Sequence, residues 1–217
     1  MNNKLLINYL SVIIAALFFA CSEPVKEENK NNVPPSPLSL HVGDEKYVAI
    51  DTMESVITWT GSMAISSESH TGYVYISKGE LMIENGQLVG GAAEINMNSI
   101  EYGDKRNTNT PIKHLKSPDY FDVEKFPTST IAITRVDSVN GNNIKITGNL
   151  TIKGVTNSVT FPAYMKVQDE FIMANGRLTI DRTDWGIRYR SGKFYDDFAD
   201  QIVSDSIEFQ IKILAKK

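Results

Sequence analysis

The chain has 217 residues, 41% hydrophobic, 22% charged and 9% aromatic, a globular composition that excludes fibrous and wholly disordered classes and leaves room for one domain or two. Lys and Arg number 22 against 26 Asp and Glu, a formal net charge of −4, and no Lys/Arg-rich run accompanies it, so a nucleic-acid partner is disfavoured. Cys21 is the single cysteine, which excludes an intramolecular disulfide and a cysteine metal cluster and leaves the fold to stand on burial alone.

Residues 1–20 carry one charged side chain, Lys4, ahead of an apolar run from Leu10 through Val12 to Ala20. The run is short for a membrane span, which needs about 20 apolar residues, and residues 1–20 are expected to be a signal peptide. Leu17-Phe18-Phe19-Ala20-Cys21 resembles the lipobox of bacterial lipoproteins, with cleavage before Cys21 and diacylation of its sulfur. A plain secretory signal or a one-span anchor are the competing readings; the position of the sole cysteine favours lipidation. Residues 21–44 are rich in Glu, Lys, Asn, Pro and Ser, with Pro34, Pro35 and Pro37 close together, and read as a flexible tether. Two acyl chains give stable anchoring where one gives only marginal binding. Lys26-Glu27-Glu28 resembles acidic signals that send some lipoproteins to the cell surface, and it reads equally as an ordinary solvated charge run.

From residue 45 to 217 the dominant period is two. Ile144, Ile146, Leu150 and Ile152 alternate with Lys145, Thr147, Asn149 and Thr151; Val159, Phe161, Ala163, Met165 and Val167 alternate with Thr160, Pro162, Tyr164 and Lys166; Ile207, Phe209, Ile211 and Ile213 alternate with Glu208, Gln210 and Lys212. Such segments are antiparallel strands with one apolar and one wetter face, and Pro162 suits an edge or bulge. Asn85-Gly86 and Asn140-Gly141 are hairpin signals, and Lys153-Gly154 leads from one strand to the next. The alternation fails from Asn107 to Lys125, where Pro111 and Pro118 punctuate a segment expected to hold one or two short helices around 112–115 and 117–123. The fold class is all-β: about eight long strands with a short helical insert favour one closed antiparallel barrel over two small stacked sheets. Closure removes exposed edges.

The chemical residues are sparse. His41, His70 and His114 are far apart in sequence, which disfavours a catalytic or metal-binding cluster. Asp181 and Asp184 sit too close in sequence for a glycosidase pair, whose carboxylates face one another across a cleft, and read as a strand end with a turn. No nucleophile elbow, phosphate loop or zinc spacing is present in the sequence. The apolar faces of the long strands fit a filled core and an apolar cavity open at one end equally well.

Ser55-Val56-Ile57-Thr58-Trp59, Gly72-Tyr73-Val74, Met97-Asn98-Ser99-Ile100, His114-Leu115-Lys116-Ser117-Pro118-Asp119-Tyr120-Phe121-Asp122, Gly148-Asn149-Leu150-Thr151-Ile152-Lys153-Gly154-Val155-Thr156 and Asp181-Arg182-Thr183-Asp184-Trp185 stand in an order that resembles the YceI-like family, from about Tyr47 to Leu214. The resemblance implies a lipocalin-like barrel, capped near one end by the helical insert, with a tunnel for a long polyisoprenoid chain, in a periplasmic or secreted protein. Pro111-Ile112 stands where many relatives have Arg-Asp, so no head-group contact carries over for that pair. The inward residues of the three clearest strands are the candidate tunnel lining: Ile144, Ile146, Leu150, Ile152, Phe161, Met165, Ile207 and Phe209. A buried methylene contributes about 0.8 kcal/mol and an isoprene unit roughly 3 kcal/mol before ordering losses, so an apolar lipid binds without a charged clamp. The expected protein is a non-enzymatic carrier or sequesterer of a polyisoprenoid or isoprenoid quinone, needing no metal or other cofactor. It is anchored through Cys21 in the cell envelope at the outer membrane, on its periplasmic or surface face. The alternatives are an envelope stress or interaction lipoprotein using the barrel as a scaffold, and a lipid hydrolase or isomerase resting on Asp181 and Asp184.

Overall fold

The computed structural model describes residues 46–66, 68–103, 110–168, 170–195 and 201–216; the expected signal peptide, the tether with Lys26-Glu27-Glu28, and Cys21 lie outside the described residues. Among the described residues nine strands form one sheet: β1 (Lys46–Ala49), β2 (Val56–Met63), β3 (Ser69–Glu84), β4 (Gln87–Tyr102), β5 (Thr128–Asn140), β6 (Asn143–Ile152), β7 (Val155–Val167), β8 (Phe171–Asp181) and β9 (Val203–Lys216), with one α-helix, α1 (Thr110–Lys116), between β4 and β5. Each strand from β2 to β9 pairs antiparallel with the next, and β2 pairs with β9 at Trp59↔Phe209. Eight strands thus close into an up-and-down barrel, as the alternation predicts. β1 is an outer strand that pairs with β3 at Val48↔Leu81, beyond the stretch occupied by β2. The chain between β1 and β2 is pinned to β9: Ile50 bridges Ala215, and the buried Ser55 hydroxyl accepts the Leu214 N–H at 3.0 Å.

Period two decides which side chains enter the barrel. In β6, Ile146, Gly148, Leu150 and Ile152 are buried while the intervening residues are half-buried or exposed, and β7 repeats the pattern at Val159, Phe161, Ala163 and Met165. On the outer face hydroxyl pairs cross the β6–β7 ladder, Thr147 to Thr160 at 3.1 Å and Thr151 to Thr156 at 2.7 Å. The turns follow backbone chemistry. Asn85 and Gly86, and Lys153 and Gly154, have positive φ (50° and 77°, 51° and 76°), which a two-residue turn matched to strand twist requires. The Asn140 signal is displaced by one residue: Asn140 pairs with Asn143, and Gly141 takes the left-handed φ of 52°. Of the one or two helices expected, one forms, and residues 117–125 form turns. Pro118 forbids donation at that point and Asp122 reverses the chain with φ of 49°.

The interior is divided along its axis. At the end bearing the 85–86 and 140–143 turns, Leu81, Ile83, Leu88, Phe161, Met165 and Ile172 pack a solid core. A Cβ at Gly176 would stand 3.0 Å from the Phe161 ring, which shows how tightly this layer is filled. At the opposite end the β7–β8 ladder, confined to residues 163–167 of β7, is missing. Pro162 stands at this parting, where its absent N–H breaks no ladder bond. A 3-10 turn, Arg182–Trp185, fills the gap: Trp185 donates its indole N–H to the Leu150 carbonyl (3.2 Å), and Asn157 donates to the Asp184 carbonyl (3.0 Å).

Candidate functional site

The half of the barrel beyond the solid layer encloses a partly open cavity of about 890 Å³, within the roughly 300–1,000 Å³ range of small-molecule sites. Its walls are mainly apolar: Ile57 and Trp59 from β2, Val74 from β3, Ile95, Met97 and Ile100 from β4, Ile131 from β5, Leu150 and Ile152 from β6, Leu178 from β8, and Ile207, Phe209 and Ile211 from β9. Its width at Trp59 depends on Gly72. The indole lies over that glycine, where a Cβ would come within 2.4 Å of the ring and 2.0 Å of the Glu101 carbonyl.

Two irregular segments cap this end. From the β4–β5 connection come His114, Leu115, Tyr120 and Phe121; from the β8–β9 connection come Arg182, Tyr189 and Arg190. The segments meet ring to ring. His114 lies edge-on to Tyr189 (centroids 4.1 Å apart) and to Tyr120 (5.0 Å), and Tyr120 lies 5.4 Å from Tyr189. Burial raises the Tyr120 phenol above its ordinary value, partly offset by the Arg182 guanidinium 5.7 Å from its ring. Arg182 itself is fully buried and occupied. It donates to the carbonyls of Ile187 (2.8 Å), Ser204 (3.0 Å) and Val203 (3.0 Å), and an amino nitrogen lies 3.2 Å from Asp205 Oδ1. This Arg ties the 3-10 turn to the start of β9 and so shapes the cap.

Of the eight residues expected to line a tunnel, Leu150, Ile152, Ile207 and Phe209 line this cavity. Ile146, Phe161 and Met165 are inward-facing and belong to the solid core, and Ile144 is half-buried, packs against that core and borders a second pocket with Tyr164 and Asn143. Alternation identifies the inward face but carries no information on depth, and depth decides which inward residues meet empty space. Trp59, Ser129, His114 and Arg182 were not singled out by the periodicity. Ser129 in particular is a small polar residue at an inward position, and its signal is visible only once β5 is placed.

Catalytic chemistry has little support here. Asp181 sits at the end of β8; burial raises its pKa, yet its contacts with the Lys193 ammonium and with the Thr183 hydroxyl and N–H outweigh burial and hold the carboxyl below its ordinary value. A carboxylate held ionised is unsuited to general-acid work, and its bonds are those of a helix-capping aspartate. Among the described residues no group of three or more His, Cys, Asp or Glu side chains is placed to hold a metal, and no helix is long and apolar enough to cross a membrane.

The YceI-like domain model matches residues 48–215. The chain is 36% identical over 104 residues to a UPF0312 protein of Pseudomonas aeruginosa, covering 45% of this chain and 52% of that protein, and 49% identical over 51 residues to a UPF0312 protein of an Enterobacter species, covering 24% and 26%. It therefore spans about half the length, or less, of these curated relatives. Among solved structures, Burkholderia cenocepacia BcnA superposes with a TM-score of 0.61 at 20% identity, over 76% of this chain and 99% of that one. A polyisoprenoid binding domain from Saccharophagus degradans, implicated in plant cell wall breakdown, superposes with a TM-score of 0.54 at 14% identity, over 78% and 97%. At these identities the superpositions establish the fold.

Proposed function

Because the chain belongs to the YceI-like family, we propose that it binds, carries or sequesters a long apolar lipid, a polyisoprenoid or an isoprenoid quinone, without catalysing its conversion. The observation that carries this reading is the roughly 890 Å³ cavity walled by Ile, Leu, Met, Val and aromatic side chains from seven strands and capped by two segments that meet ring to ring. Each methylene transferred into it contributes about 0.8 kcal/mol, so chain length dominates affinity and cavity length dominates selection. The polyisoprenoid-binding domain that shares the fold supports the same ligand class. Organic extraction of the purified protein followed by mass spectrometry tests the reading: a stoichiometric polyprenyl species is expected. Repeated absence of lipid, together with no binding of added isoprenoid quinone, overturns it in favour of a barrel serving as an interaction or stress scaffold.

The membrane is reached, in this proposal, through a diacylated Cys21 at the end of the 21–44 tether, placing the barrel in the cell envelope at the outer membrane. The support is the position of the sole cysteine directly after Leu17-Phe18-Phe19-Ala20. Cys21→Ser is expected to shift the protein from the membrane to the soluble fraction or to leave an uncleaved precursor, read by fractionation and intact mass. A mature wild-type protein with unmodified Cys21 removes the anchor.

A further inference from the structure

Exposed apolar side chains gather beside the cavity where its strands end. Met63 from the end of β2, Val203 and Ser204 from the start of β9, and Arg190 line the cavity there. The segments that carry them are joined just outside it. Ala64 donates its N–H to the Ile202 carbonyl (2.9 Å), Val203 donates to the Arg190 carbonyl (2.9 Å), and a Cβ at Gly192 would stand 3.5 Å from the Ile202 side chain. Ile65, Phe194 and Tyr195 flank this junction and are 70%, 45% and 45% exposed. Single exposed hydrophobic residues are ordinary, but a group of them beside polar neighbours marks a contact surface.

The occupant follows from what this rim borders. A protein seated here would shut the cavity, whereas a bilayer joins it to hydrocarbon and spares an apolar chain its passage through water, which is opposed in proportion to chain length. An aliphatic tip with Phe and Tyr beside it and cations behind it suits a lipid interface, where rings settle at head-group depth and long basic side chains reach the phosphates. Arg188 lies over the Phe194 ring, 4.6 Å from its centroid. Of the ionised lining groups, Arg182 is committed to Asp205, and Lys113 and Arg190 stand against Asp119, a modest positive balance that suits anionic head groups. β1, which follows the tether, pairs at Lys46↔Ile83, the opposite end of the barrel. Residues 21–44 extend to at most about 80 Å, against roughly 55 Å for the 16 residues of β3, so an anchor at Cys21 lets the rim face the membrane. We propose that the rim formed by Ile65, Phe194 and Tyr195 docks on an anionic phospholipid bilayer, so that lipid passes between membrane and cavity without entering water. What passes rests on the lipid-binding reading above; the docking does not.

The test uses the full chain carrying Cys21→Ser, which removes the acyl anchor, and vesicles of phosphatidylethanolamine and phosphatidylglycerol. Vesicles are expected to slow amide hydrogen exchange in 61–66 and 190–195 and to leave 52–56 and 139–143, at the solid end, unchanged. Ile65→Asp and Phe194→Ser are each expected to weaken vesicle binding roughly tenfold, the loss of one inserted apolar side chain. Both should also slow transfer of a long-chain isoprenoid quinone between vesicles, while affinity for a short-chain prenylated benzoquinone in solution stays unchanged. Met53→Asp, at an apolar position 91% exposed at the solid end, is the control and is expected to alter neither. Absence of protection on vesicles, protection at both ends, or equal losses for Met53→Asp and Ile65→Asp overturns the proposal. So does a solution dimer that Ile65→Asp dissociates, which would seat a second copy of the chain on the rim. A chain that docks, yet binds no quinone and yields no extracted lipid, keeps the rim as a membrane surface and removes the lipid-binding reading. One that binds quinone and does not dock keeps that reading and overturns this inference.

Discussion

At the residue scale, two isoleucine-or-leucine positions on one strand face the same interior and have opposite expected behaviour. Ile146 and Leu150 are both buried on the inner face of β6, but Leu150 borders the cavity and Ile146 belongs to the packed layer with Phe161, whose ring pairs across from it. Enlarging a side chain in a filled core displaces its neighbours at about 1–3 kcal/mol; enlarging one at a cavity wall consumes empty volume. Ile146→Phe is therefore expected to lower the thermal midpoint with no change in the length of bound lipid. Leu150→Phe is expected to keep the midpoint near wild type and to select shorter chains, measured by mass spectrometry of extracted lipid. A reversed outcome would place the cavity in the wrong half of the barrel.

At the scale of elements, the strands are readable in the sequence and the cap only in part. β6, β7 and β9 each declare an inward face by alternation alone, and Asn85-Gly86 and Lys153-Gly154 declare their turns by residues that tolerate positive φ. The segment around α1 shows in the alternation only as its failure and is marked as a cap by the 114–122 run of the family resemblance, and the 182–195 segment shows only as a strand-end turn at 181–184, because what orders it is a set of long-range contacts from Arg182 to carbonyls at Val203 and Ser204. Those contacts make a prediction. Removing a buried guanidinium leaves its carbonyl partners and Asp205 uncompensated, a loss of about 3–5 kcal/mol for broken buried pairs. Arg182→Met is expected to fall in that range by urea unfolding and to raise amide hydrogen exchange in 182–195 ahead of the sheet. Arg182→Lys is expected to recover only part, since a single ammonium cannot reproduce a planar fork reaching three carbonyls. A methionine variant of wild-type stability would show that the cap is ordered by its ring contacts alone.

At the scale of the whole molecule, closure and capping are each fastened by an acid–base pair whose sign can be read. Asp51, at the crossing from β1 to β2, bonds Lys216 near the end of β9, and Asp181, below the cap, bonds Lys193. The Lys216 ammonium, with help from the Met53 and Glu54 amides, holds Asp51 below its ordinary value; for Asp181 burial acts upward but Lys193 and Thr183 prevail. A carboxylate depressed on folding contributes stability that is present above its unfolded pKa and is lost as pH falls through the folded one. Lys193 and Lys216 are raised by hydrogen bonding to Asp181 and Asp51, so their contribution is complete below the ordinary lysine range and is lost as pH rises through the folded values. The barrel is thus expected to be most stable between the carboxylate and lysine ranges, with gentle shoulders, because exposed pairs contribute little each. The double variant Asp51→Asn, Asp181→Asn isolates the acidic shoulder: its deficit in thermal midpoint against wild type is expected at neutral pH and should shrink as pH falls below the ordinary carboxylate range, towards the depressed values at which the wild-type carboxyls also protonate. A deficit that stays constant across that span would assign the effect of these residues to shape, with the charges of the two fasteners contributing nothing to the closed barrel.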